Sequence, residues 1–129
     1  MAGTIVANTL NTDTGVFSTN NAYSGIAKAW VNYNGTTQTI RNSFNVSSVT
    51  YNSTGNYTIN FATSMANANY VVSGVGGNND VSAGYVVIYQ SGGQAGTYSP
   101  TTSSCNILVG QNNGTLVNNT VVCVTIMGS

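Results

Sequence analysis

The sequence predicts an all-β protein, an antiparallel β-sandwich or jelly-roll-like domain with an extended N-terminal arm. Three observations predict it. First, only 3% of the 129 residues are charged: Lys28, Arg41, Asp13 and Asp80 are the whole set. Surface helices ordinarily carry Glu, Lys and Arg on their wet face, and this chain has almost none to place there. Second, Asn, Thr, Ser and Gly supply the polarity, and these residues favour turns and strands over helix interiors. Third, short apolar runs are separated by turn signals at close spacing, the pattern of a sandwich or jelly roll. Hydrophobic residues make up 41% of the chain, enough for a core and too many for a disordered segment. The length fits one folded domain.

Residues 1–25 are rich in Thr and Asn, with scattered apolar positions at Ile5, Val6, Leu10, Val16 and Phe17 and no clear period. They read as a docking arm holding one or two short strands, with residues 26–129 forming the sandwich. The run 26–33 carries Trp30 and ends at Asn34-Gly35, a hairpin signal. Residues 38–51 alternate loosely through Ile40, Phe44, Val46 and Val49, and read as one extended segment. A turn follows at residues 52–55. Residues 56–61 then alternate cleanly, with Tyr57, Ile59 and Phe61 on one face and Asn56, Thr58 and Asn60 on the other. The next strand is expected over 69–75, interrupted by Gly76-Gly77-Asn78-Asn79-Asp80. Residues 84–90 read as a strand buried on both faces, and 91–103 as a long loop containing Gly92, Gly93, Gly96 and Pro100. Strands over 104–109 and 121–127, with a turn at 111–114, complete a set of about seven or eight.

The same composition excludes most chemistry. His and Glu are absent, so a Ser or Cys nucleophile lacks its usual imidazole base and a glycosidase lacks its paired carboxylates. Asp13-Thr14-Gly15 matches the tripeptide of aspartic proteases, but Asn11 and Thr12 precede it where those enzymes bury the tripeptide behind an apolar strand; it reads as a turn in the arm. The cluster at 76–80 lacks the Lys-Ser/Thr of a phosphate-binding loop and the repeated carboxylates of a Ca²⁺ loop. No enzyme, metal site or cofactor is expected. The formal net charge is zero, which gives nucleic acid and anionic lipid nothing to hold. No run approaches the roughly 18 apolar residues of a membrane span. MAGTIVANTLNTDTG lacks the pattern of a secretory signal, so synthesis in the cytoplasm of the producing cell is expected.

Cys105 and Cys123 each sit in an apolar run and read as small buried hydrophobes. Asn-X-Ser/Thr sequons at Asn34, Asn45, Asn52 and Asn56 follow from composition. The aromatic residues are expected mainly in the core or at subunit contacts, with Tyr98 the best exposed candidate for stacking on a sugar. Lys28 shares a strand face with Trp30, either as an edge charge or as a partner of Asp80 across a subunit contact. Strand edges so poorly guarded by Lys and Pro point to a permanent homo-oligomer. Asn78, Asn79, Asp80 and Tyr98, in loops 76–84 and 91–103, are the expected outward contacts.

AKAWVNYNG (27–35), RNSFNVSSVTYNSTGNYTINF (41–61) and MANANYVVSG (65–74) resemble a β-domain recurrent in tail-fibre and other appendage proteins of tailed bacteriophages, notably marine and cyanobacterial ones. VVCVTIMG (121–128) is similar to that domain's closing strand. The resemblance covers about half of the chain and brings no catalytic residues. It implies a virion structural role, often trimeric, on the particle surface. The expected function is therefore a tail-fibre or tip-type subunit that contacts other virion proteins and a host-surface glycan or protein. The alternative expectation is a capsid decoration, cement or knob protein that stabilises the shell.

Overall fold

The structure, a computed structural model, describes residues 3, 9–12, 15–18, 25–78, 86–90, 100–111 and 113–128. Every named element among them is a β-strand. The strands are β1 Thr9–Thr12, β2 Gly15–Ser18, β3 Ala27–Asn34, β4 Thr39–Phe44, β5 Val46–Ser53, β6 Asn56–Phe61, β7 Val71–Gly77, β8 Val86–Gln90, β9 Ser104–Gln111 and β10 Val121–Met127. β1 and β2 form a separate two-stranded sheet in which Leu10 is the register partner of Phe17. The other eight form two four-stranded sheets, β4-β3-β10-β7 and β5-β6-β9-β8, called the first and second sheets below. All described pairings are antiparallel. The fold is a β-sandwich, as the composition and turn spacing predict.

The core comes from alternate residues of the central strands, as a pleated strand with one buried face requires. β3 contributes Ala29, Val31 and Tyr33, and β10 contributes Val122, Val124 and Ile126. Facing them are Tyr57, Ile59 and Phe61 of β6 with Cys105, Ile107 and Val109 of β9. Tyr33 meets Tyr57 edge-on with ring centroids 5.3 Å apart, and Phe61 meets Tyr70 in the same way at 5.7 Å. Such edge-to-face pairs add about 1 kcal/mol beyond the area they bury. The clean alternation expected over 56–61 is the burial pattern of β6, and Tyr33, Tyr57 and Tyr70 are core residues.

Three local expectations need correction. Residues 38–51 are not one segment: the chain breaks at Asn45 (φ +53°) into β4 and β5, which belong to different sheets. Asn tolerates the left-handed region better than most residues, and this one is fixed on every side. Its Nδ2 donates to the carbonyls of Lys28 and Thr63 at 3.0 and 3.1 Å, and its Oδ1 accepts from the Thr63 amide at 2.7 Å. Gly76 and Gly77 do not interrupt a strand but end β7, paired with Val122 and Val121. Cys123 is half-buried rather than buried, because it points to the opposite side of β10 from Val122 and Val124.

Candidate interaction surfaces

Neutral hydrogen bonds knit one end of the sandwich. In the turn after β3, Asn34 Oδ1 accepts from the amides of Thr36 and Thr37 at 3.0 and 3.1 Å. The Gly35 amide donates to the carbonyl of Asn119 at 2.8 Å. A Cβ on Gly35 would lie 2.5 Å from the Tyr57 hydroxyl, so only glycine allows this approach. Tyr57 in turn donates to Asn118 Oδ1 at 2.7 Å, which also accepts the Gly55 amide at 2.8 Å. Burial holds the Tyr57 hydroxyl well above the usual phenol range, with the nearby Tyr33 and Tyr51 hydroxyls adding to the rise. It therefore remains protonated and donating here. Arg41, at the bulge between β3 and β4, reaches Asn32 Oδ1, the Tyr33 carbonyl and the Thr120 carbonyl at 3.2, 3.2 and 2.6 Å. Its role is to tie β4 to the segment before β10.

Of the expected contact residues, Asn78 stands at this end, exposed, with its Oδ1 accepting the Thr120 amide at 3.0 Å. It closes the end of β7 onto the β9–β10 connection. Asn79, Asp80, Tyr98, Ile5 and Val6 lie outside the described residues. Leu10 falls in β1, and Val16 and Phe17 in β2.

The outer face of the second sheet is a lattice of amides and hydroxyls. Asn60 Nδ2 donates to Ser48 Oγ and Thr50 Oγ1, both at 3.0 Å. Asn52 Nδ2 donates to Asn56 Oδ1 at 3.1 Å and Thr58 Oγ1 at 2.9 Å. Asn106, almost fully buried, donates to Asn56 Oδ1 at 2.8 Å and to the Tyr57 carbonyl at 3.0 Å. Its Oδ1 is without a partner among the described residues.

The outer face of the first sheet differs in kind. Cross-strand register lays Phe44, Trp30, Thr125 and Ser73 in one row, and Asn42, Asn32, Cys123 and Val75 in the next. Val71 and Met127 flank these rows at one end, and Val121 flanks them at the other. Val71 is 65% exposed, Val75 61% and Phe44 54%, with Val121 and Met127 also open. Sequence reasoning missed this face, although β7 carries a signal for it. Its two faces are Val71-Ser73-Val75 and Val72-Gly74-Gly76, and the bulkier set faces solvent.

The described residues hold no cluster of His, Cys, Asp or Glu able to bind a metal ion. The two cysteines are free, and burial pushes the Cys105 thiol up to about 12, which makes it unreactive at neutral pH. No helix among the described residues is long and apolar enough to cross a membrane. Neither a protein family, nor a curated protein, nor a solved structure matches the chain.

Proposed function

We infer that this chain is a structural protein of a bacteriophage virion, a surface-appendage subunit of tail-fibre or tip type. It assembles with copies of itself as a trimer, docks through residues 1–25 onto other virion proteins, and turns its loops toward a host-surface glycan or protein. The observation that carries this reading is the exposed apolar outer face of the first sheet. Exposed apolar side chains grouped on one face mark an interaction site, and the chain has no His or Glu to place there as a general acid or base. The resemblance over residues 27–74 and 121–128 supplies the virion context. A decoration protein on the capsid shell is the second reading, favoured by the same face, because a sheet of four strands could lie flat on a shell lattice.

Electron microscopy of particles labelled with antibody against the purified chain tests the proposal. Label on the tail appendage supports the first reading, and label over the shell supports the second. Absence of the chain from washed particles overturns both. Host-cell binding by the purified protein is expected to change little with added salt, since neutral contacts are barely screened.

A further inference from the structure

We propose that the outer face of the first sheet is the seat of the N-terminal β1–β2 hairpin of a second copy of this chain, so that the oligomer is held by arm exchange. The proposal rests on reading the chain as a self-assembling subunit and names the surface and the segment that do it.

Three features of the molecule converge. The first concerns the hairpin. Among the described residues, β1 and β2 hydrogen-bond to each other and to neither four-stranded sheet, and a lone two-stranded hairpin is marginal in water without a surface to pack on. The second is the face itself: Phe44, Val71 and Val75 are open to solvent.

The third is area and charge. Four strands about 4.8 Å apart, each rising about 3.3 Å per residue, give the face a projected area on the order of 400 Å². A specific interface takes roughly 800 Å² from each partner, about twice what the face alone offers. Exchange makes up that area per copy rather than per contact: each copy gives its face to one neighbour and its arm to the other, so about 800 Å² of each copy is buried over two contacts. The charges also match. The first sheet carries Lys28 and Arg41 and no acidic residue, whereas the arm carries Asp13 as its one charge. A head-to-tail contact of this kind gives a ring, as a trimer requires, when the rotation between copies closes, and a filament when it does not.

The test uses full-length chains in a Cys123→Ala background, because Cys123 neighbours Val75 in register. Chain carrying Val75→Cys is mixed under mild oxidation with chain carrying Phe17→Cys, and separately with chain carrying Asn60→Cys, on the outer face of the second sheet. Disulfide-linked dimers of the two chain types are expected with Phe17→Cys and not with Asn60→Cys. A Val75/Phe17 double-cysteine chain that links only within itself overturns the proposal, as does equal linkage to Asn60→Cys. Sedimentation of Val75→Lys provides the second measurement: association is expected to weaken about tenfold or more, since the substitution buries a charge in an apolar contact, with the urea midpoint unchanged at a dilution where both chains are monomeric. If the parent chain is an oligomer that Val75→Lys leaves intact, only the arm-exchange inference fails. If the parent chain is a monomer at every concentration, self-assembly itself fails with it.

Discussion

The two sheets pack the same kind of core and finish their outer faces in opposite ways. On the second sheet, Ser48, Thr50, Asn52, Asn56, Thr58, Asn60 and Asn106 hydrogen-bond within the face, with the buried Asn106 Oδ1 left without a partner among the described residues. On the first sheet, Phe44, Val71 and Val75 gain nothing from water. Two sheets with the same strand count thus differ in what they ask of their surroundings. One outer face pairs most of its polar groups within the sheet, and the other leaves apolar side chains open to solvent. Net charge and overall hydropathy, which average over both faces, carry no trace of that asymmetry.

Substitutions ranked by expected effect can break or sharpen this contrast. The inner face sets the scale: Ile59→Ala, at a fully buried site, is expected to cost about 3 kcal/mol of unfolding free energy in urea titrations followed by Trp30 fluorescence. Next is Asn106→Ala, which removes the donor serving the buried Tyr57 carbonyl and Asn56 Oδ1; a loss of about 2 kcal/mol is expected. A loss below ~0.5 kcal/mol would mean that the lattice on the second sheet is ornament, since that is the range of ordinary surface changes.

Alkaline pH gives a smaller and continuous effect. The unfolded Cys105 thiol ionises near 9 and the folded one near 12, so the stability from keeping it neutral is fully present below pH 9 and is lost as pH rises toward 12. Its slope across that window is about 1 kcal/mol per pH unit. Urea midpoints at pH 7, 9 and 11 should fall over the last interval, and Cys105→Val should flatten the part due to this thiol. Tyr57 and Tyr70, raised chiefly by burial, act in the same direction. The smallest effect belongs to the open face: Val75→Thr should change the stability of the single chain by no more than about 0.5 kcal/mol.

What could be read in advance follows from the range over which each signal acts. β6 was legible because its polar–apolar alternation is strict over the whole strand, and β10 because a mostly apolar run over 121–127 reads as a strand. The hairpin at Asn34-Gly35 was legible because turn chemistry is local. The break at Asn45 was not, since Phe44 and Val46 continue an apolar alternation across it, and the bonds that turn the chain come from Lys28 and Thr63, distant in sequence. Gly76 and Gly77 looked like a turn because glycine is the common turn residue, whereas here they continue the ladder with β10. The apolar outer face was hidden for a similar reason. Its members lie on four strands that only the order β4-β3-β10-β7 makes neighbours. Tyr57 announced itself as core, but its bond to Asn118 depends on a loop some sixty residues away.

The placement of the two thiols has a consequence for where the protein can persist. Cys105 points into the sandwich from one sheet and Cys123 points away from it on the other. With backbones one sheet spacing (about 10 Å) apart and the first sheet between the side chains, no rotamer change joins their sulfur atoms. Cohesion therefore owes nothing to oxidation state. The internal bonds of a single chain are the same in reducing and in oxidising surroundings.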